Sequence, residues 1–504
     1  MRIAPRTAAW IVPLVLTLVA ALLRFIGLGH PHTLVFDETY YVKDAWTLLH
    51  LGYEGSWPDD ADALFTGGDT DVYQTSPAYV VHPPLGKWLI ALGMALFGAD
   101  SGFGWRFSAA LFGTLLVPLV YAIARRLSGS VAVGTIAGGL LAIDGLAIAL
   151  SRVALLDGFL AFLIALAFWF VLRDSDRTAP AIMRPGGGTG GPVLWRRPWI
   201  VAAGAALGAA TAVKWSGIYT LAGVGILLVL LDLAARRRAG VAGALAGAVR
   251  QAPVTFLQLV PIAVVVYLLS WTGWLLTTGG YDRGSDPNPL IALWNYHLSM
   301  YGFHVGLATS HPYASPAWQW PLLLRPTAMW LARPDAGAAW CGWSEDCIGV
   351  IGSHPNPITW YGGWAAVVLL GVLLARRRGG AVRFGAVIVL TGLLLTYVPW
   401  LLYPARTIFQ FYTVTMLPFL VIALALALGY LGRPREPVLL PAPSHAEIRY
   451  AARAAETQTR AWRMFAIGVV VVAVLVGIFF LPLSTGFLEP YDLWRDHMWL
   501  PGWI

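Results

Sequence analysis

Eleven apolar stretches, each of about twenty residues, recur along this chain and leave it few ways to fold. A helical run of that length matches the roughly 30 Å hydrocarbon layer of a bilayer. In lipid, helices satisfy their own backbone amides, so they can cross. The stretches fall at roughly 10–29, 105–125, 130–149, 153–172, 198–213, 216–235, 253–276, 358–375, 383–402, 407–430 and 464–483. Charged residues make up 12% of the 504, against about 25% in soluble domains. A soluble enzyme, a disordered chain and a disulfide-dense secreted module are therefore poor descriptions of it.

Charge distribution supplies an expected topology. Short loops rich in Lys and Arg stay in the cytoplasm. The basic clusters are Arg2/Arg6, Arg125/Arg126, Arg173 to Arg197, Arg236 to Arg250, Arg376 to Arg383 and Arg433 to Arg463. Eleven spans place all six inside. The inner segments then hold 23 of the 34 basic residues and 6 of the 26 acidic ones. The formal net charge of +8 is thus a topological signal and does not point to nucleic acid. The stretch 88–98 is too short to span and reads as a helix on the outer membrane surface. The N-terminal run has the charge pattern of a signal peptide too, but no clear small-residue cleavage site follows it.

Two long outer loops remain, 30–104 and 277–357, both rich in Trp, Tyr, Pro and His. Loops of that length are usually functional or disordered, and this composition argues against disorder. The inner stretch 174–197, with its RPGGGTGG run, reads as a flexible linker. The inner segment 433–463 reads as a basic tether with a short surface helix. Cys341 and Cys347, six residues apart on the oxidising side, are expected to form a local disulfide. The alternative is two free thiols; without nearby His they are too few for a zinc site.

Ionisable residues near span ends mark candidate chemistry. Arg24, Asp37, Glu38, Arg106, Asp144, Arg152, Asp157, Lys214 and Arg406 all fall at outer ends or turns. Each has an ordinary explanation. Arg24 and Arg406 can snorkel. Asp144, Arg152 and Asp157 can form a structural ion cluster. Asp37–Glu38 can be a solvated pair, and His82 and His311 can be packed loop residues. Only three lysines stand among the basic residues, Lys43, Lys87 and Lys214. An ammonium kept at Lys214 suits a phosphate held as a point charge. Acids beside such cations fit group transfer from a lipid phosphate: one carboxylate deprotonates a hydroxyl and the cations stabilise the leaving group.

The segments VFDETYYVKDAW, VHPPLGKWLIALG, WRFSAALFGTLLVPLVYAIARRL, AIDGLAIALSRVALLDGFLAF, TAVKWSGIY and SHPYASPAWQWPLLLRP occur in the order found in protein O-mannosyltransferases of the GT-C superfamily, glycosyltransferase family 39. The chain resembles that family from residue 20 to about 430. The resemblance implies an all-α integral membrane GT-C fold of about 11 spans, a single unit whose two long outer loops carry short surface helices. It implies inverting transfer of mannose from a polyprenyl phosphate to Ser/Thr hydroxyls of secreted or membrane proteins, at the outer face of the plasma membrane. On that likeness Asp37 is the general base and Glu38 shapes the acceptor and sugar site. Arg106 and Lys214 bind the lipid phosphate, and Arg24 supports the acidic motif. His82, Arg152, Asp157, His311 and Arg325 are further site candidates.

The second outer loop is too short for the β-trefoil insert of eukaryotic members, so the bacterial, actinobacterial-type form is the nearer likeness. Acceptors would then be chains leaving the secretion translocon. The chemistry does not require a metal, although Asp37 and Glu38 offer ligands for a divalent ion. Two other functions fit less well: a GT-C transferase acting on a lipid or cell-wall glycan, and a transporter. A transporter would place charge near mid-membrane.

Overall fold

The computed structural model describes residues 5–183, 188–380, 382–437 and 444–504. Arg2, the start of the RPGGGTGG run, Pro441 and Pro443 lie outside the described residues. Except for 407–430, which runs through loop and a 3-10 turn (Gln410–Thr415) before its helix begins at Leu417, the apolar stretches fall mainly on α-helices. These are α1 (Pro5–Phe25), then α2 (Glu38–Leu51), α3 (Ala61–Thr66) and α4 (Leu85–Phe97) in the first long loop. Next come α5 (Gly102–Ser128), α6 (Val131–Ala142), α7 (Gly145–Arg152), α8 (Asp157–Ile182), α9 (Pro198–Val213), α10 (Gly217–Arg238) and α11 (Ala244–Ser270). The short α12 (Thr272–Leu276) and α13 (Pro289–Gly306) open the second long loop. After it run α14 (Pro357–Ala375), α15 (Val382–Leu401), α16 (Leu417–Leu431), α17 (His445–Phe479), α18 (Leu481–Thr485) and α19 (Tyr491–Asp496).

Among the described residues, seven helices are long and apolar enough to cross a membrane, or eight if the bent pair α6–α7 is one span. Shorter apolar helices cover Trp10–Phe25, Leu85–Phe97, Pro198–Val213 and Leu417–Leu431. Helix ends follow the sequence. Ser130, Asp144, Asn288, Asn356 and Ser444 each accept a hydrogen bond from a first-turn amide of the helix they cap. Small residues set the closest packing. A Cβ on Gly204 or Gly208 of α9 would fall 2.4 Å from a backbone carbonyl of α11, so this pair of helices can touch backbone to backbone only at glycine.

Several expectations from sequence are corrected here. The stretch 130–149 is not one helix: α6 and α7 meet at a 55° bend. The segment 433–463 does not end in a separate surface helix. From His445 onward it continues without a break into the last apolar stretch, started by a capping box between Ser444 and Glu447. At 35 residues, α17 is longer than the roughly 20 that a bilayer needs. The glycine-rich linker is helical to Ile182. Its described part after residue 187 is strapped down: Gln251 binds the Leu194 amide and carbonyl, and Arg236 donates to the Pro192 carbonyl.

The second long loop also contains strands. In it, β1 (Ala328–Ala332) pairs antiparallel with β2 (Cys347–Gly352), and β2 pairs with β3 (Glu489–Pro490) near the end of the chain. The Cys341–Cys347 disulfide closes the turn between β1 and β2. The two long loops pack on each other at one end of the bundle. There Tyr296 of α13 donates to the Val80 carbonyl (2.8 Å) and accepts from its amide (3.1 Å). Trp271, Trp274, Tyr296 and Met300 bury this contact as a second, smaller core.

Candidate active site

Asp37 lies where the first long loop turns into α2, and Glu38 is the first residue of that helix. Their roles diverge at once. Glu38 is 0% exposed and accepts four hydrogen bonds. Its Oε1 takes Arg106 Nε (2.8 Å) and the Ala154 amide (2.7 Å), and its Oε2 takes Arg106 Nη2 (2.8 Å) and the Val35 amide (2.8 Å). Those fill a carboxylate's lone-pair sites. Arg106 gives its remaining donors to the carbonyls of Leu28, Pro31 and Thr33. A guanidinium has five N–H donors, and all are used. The clasp joins α2 and α5 to the turn between α7 and α8 and to the chain that follows α1.

In this structure Arg106 and Glu38 keep no free donor or acceptor for the phosphate and substrate contacts that the family likeness implies. Glu38→Ala should strand a buried guanidinium, at a cost of about 3–5 kcal/mol. The expected result is a lower thermal midpoint in detergent, with Asp37→Asn, whose midpoint should not fall, as the control. Equal midpoints would remove the clasp's structural role.

Two other arginines also act as helix-end clamps. Arg24 donates from Nε to Ser151 Oγ (3.2 Å) and from its terminal nitrogens to the carbonyls of Ala20, Leu141 and Ala142. It thereby satisfies the open end of α6 at the bend. Arg152 donates to the carbonyls of Leu23, Arg24, Ile26 and Gly27, closing α1 in the same way. Asp144 accepts from the amides of Ala147 and Asn356. The hydrogen bonds of Arg24 thus go to helix carbonyls and Ser151 and not to the acidic motif, and Arg152 spends its terminal nitrogens on the end of α1 while its buried Nε stays unpaired among the described residues. Arg325 donates to the carbonyls of Pro312, Gly502 and Ile504, fastening the chain end to the second loop. His311 packs at 4.9 Å on Phe409 and accepts from the Tyr313 amide (3.1 Å).

The remaining candidates converge. Lys214 lies at the end of α9 in extended backbone, 6% exposed, and donates to Asp157 Oδ2 at 2.8 Å. The turn that presents it is tight: a Cβ on Gly217 would meet the Thr211 amide nitrogen at 2.6 Å. The ring of Tyr412 lies 4.4 Å from the ammonium. Desolvation opposes the Lys214 charge, but Asp157, Tyr412 and Asp37 outweigh it and hold its pKa above the ordinary lysine value. Asp37 faces the same group. Its pKa is raised to about 6, first by burial and then by Asp157, against the pull of Lys214 and a long hydrogen bond from Tyr41 (3.5 Å).

His82 stands 6.1 Å from the Tyr41 ring, and its buried Nδ1 has no hydrogen-bond partner. Burial, then Lys214, His304, Lys87 and Arg406, keep it neutral. Arg406, a turn charge for which the family likeness gives no role, joins them. It donates from Nη2 to His304 Nδ1 (3.1 Å), and among the described residues its buried Nε has no acceptor. A narrow cleft runs from Asp157 between α8, α10 and α15, past Leu160, Ile164, Leu395 and Pro399. Among the described residues no group of three or more His, Cys, Asp or Glu is arranged to hold a metal ion. With Glu38 committed to Arg106, Asp37 and Glu38 do not form an open ligand pair.

Comparison with known proteins accords with this picture. The family described as dolichyl-phosphate-mannose-protein mannosyltransferase matches residues 99–277. The C-terminal four-helix region of protein-O-mannosyltransferase matches residues 290–503. The chain is 33% identical to the polyprenol-phosphate-mannose–protein mannosyltransferase of Mycobacterium tuberculosis, over 99% of this chain and 92% of that one. It is 34% identical to the Corynebacterium glutamicum protein of the same name, over 99% and 93%. Its fold matches the Saccharomyces cerevisiae protein O-mannosyltransferase Pmt1-Pmt2 complex bound to the sugar donor, with a TM-score of 0.73 at 15% identity, over 100% and 93%. ArnT from Cupriavidus metallidurans bound to undecaprenyl phosphate gives 0.51 at 17%, over 94% and 75%. Matched along nearly its whole length, the chain belongs to the protein O-mannosyltransferase family and is a multi-pass membrane glycosyltransferase with the GT-C fold.

Proposed function

We propose that this enzyme transfers mannose from a polyprenyl phosphate to Ser or Thr hydroxyls of protein acceptors, with inversion at the sugar carbon. The carrying observation is the pairing of a partly buried, weakly tethered Asp37 with a buried Lys214 ammonium and an Arg406 that keeps a free donor. The acceptor oxygen forms a bond to the anomeric carbon as its proton passes to Asp37. The carbon–oxygen bond to phosphate breaks, and its electron pair leaves with the phosphate. Lys214 and Arg406 hold the charge that develops there. Neutral His82 offers Nδ1 to a sugar or acceptor hydroxyl.

The enzyme acts at the plasma membrane, with eleven spans, the N-terminus inside and the loop-bearing end outside. The charge asymmetry supports this orientation, and the disulfide at the loop-bearing end suits an oxidising compartment. Chains emerging from the secretion translocon are the fitting acceptors.

The test uses purified protein, polyprenyl-phosphate mannose and a Ser/Thr/Pro-rich peptide, read by the hexose mass increment. Donor binding without peptide product would move the acceptor to a lipid or glycan. The base must be ionised to work, so kcat/KM should rise with pH through about 6 and level off above it. An acid limb near the ordinary aspartate value of about 4 would count against a buried Asp37 as base.

A further inference from the structure

Phe36, directly before Asp37, has a left-handed backbone, φ +52. Bulky L residues rarely adopt it, because Cβ crowds the following carbonyl. Such geometry persists where the surroundings over-determine it, and here the surroundings are three rings. The Phe36 ring stands edge-on to His311 (6.2 Å, 88°), Phe409 (5.7 Å, 88°) and Phe411 (5.7 Å, 87°). Edge-to-face pairs favour a defined orientation. His311 comes from the second long loop, and Phe409 and Phe411 come from the segment between α15 and α16. That segment also supplies Tyr412, so one aromatic platform touches both Phe36 and the Lys214 ammonium.

Asp37 itself is weakly tethered. Among the described residues its side chain receives only the 3.5 Å contact from Tyr41. Its two neighbours are fixed: Glu38 by Arg106 and two backbone amides, Phe36 by the ring clamp. The direction of the carboxylate is therefore set by the residues on either side.

We infer that Phe36 is a positioning residue for the transfer reaction: clamped by His311, Phe409 and Phe411, its ring holds the backbone turn that aims Asp37 at the site shared with Lys214. The inference rests on the reading of Asp37 as base. It gives the second long loop a part in the chemistry, because His311 supplies one ring of the clamp.

The test compares Phe36→Ala, Phe36→Gly and Phe36→Tyr in the full-length protein. Glycine accepts positive φ at no steric cost, so it separates the ring clamp from the backbone strain. Both Ala and Gly variants should lose kcat by up to about a hundredfold, the scale set by ångström misplacement of a reacting group. Donor KM should stay unchanged, and Tyr, which keeps the ring, should retain most of the activity. A second readout needs no turnover: carbodiimide labelling of Asp37, followed by mass spectrometry, should be faster in the Ala and Gly variants than in wild type. Wild-type kcat in Phe36→Gly, a parallel rise in donor KM, or unchanged Asp37 labelling overturns the proposal. If wild type transfers mannose to no acceptor, the reading of Asp37 as base fails instead, and labelling still decides what Phe36 holds in place.

Discussion

Asp37→Asn is expected to cut transfer by about 10²–10⁴-fold, the usual contribution of a positioned general base, while donor binding and fold survive. The amide keeps the volume of the carboxylate and cannot take the acceptor proton. Stability should not fall, and the sign follows from burial. The folded-state pKa of Asp37 lies above the ordinary carboxylate value of 3.8, so the folded state is the one that prefers the neutral form. The cost of ionising it builds up between the ordinary carboxylate pKa and about 6 and is fully present at neutral pH. Removing the charge lifts that cost, so the thermal midpoint at pH 7.5 should stay level or rise. Turnover by the hexose-mass assay and melting in detergent check both halves. Near-wild-type turnover in a folded Asp37→Asn protein would reject this residue as base.

Lys214→Met is expected to cost about 10²–10³-fold in turnover, the scale found when one preorganised charge-stabilising donor is lost, and to weaken donor binding as well. Met keeps much of the aliphatic stem against Tyr412 and removes the charge. The single variant also leaves Asp157 buried without its partner, which by itself destabilises. The double variant Asp157→Asn/Lys214→Met removes both charges and separates the two effects. It should recover the melting temperature lost in the single variant and remain as inactive. Donor titrations matching wild type in the folded double variant would exclude Lys214 as a phosphate ligand. Arg406→Gln should act in the same direction, through its unpaired Nε.

The contrast between Lys214 and Arg106 shows what a sequence can and cannot carry. Both are cations at the loop-bearing end of an apolar stretch, and the family likeness assigns both to phosphate. Nothing in one dimension records that all five donors of Arg106 are taken by Glu38 and three carbonyls, whereas Lys214 gives one bond to Asp157. Arg24 and Arg152 went the same way. Each was read as chemistry because charge near a membrane is expensive, and each instead meets the open carbonyls of a helix end. Satisfying backbone groups where water is scarce is just as good a reason to bury an arginine.

The sequence by itself determined the helical class, the positions of the apolar helices, the acidic motif and the cysteine pair. Those properties depend on local composition and spacing: an apolar run in lipid has to satisfy its backbone within itself, and so becomes helical. Tertiary structure alone decided which charges are spent and which are free. It joined α17 to its basic leader, bent α6 against α7 at Asp144, and folded Glu489–Pro490 back onto β2. It also carried Phe409 and Phe411 across the bundle to Phe36, setting the backbone in front of the base. A hydrogen bond or a ring contact between residues hundreds of positions apart leaves no periodicity to read. It exists only once the chain has closed on itself.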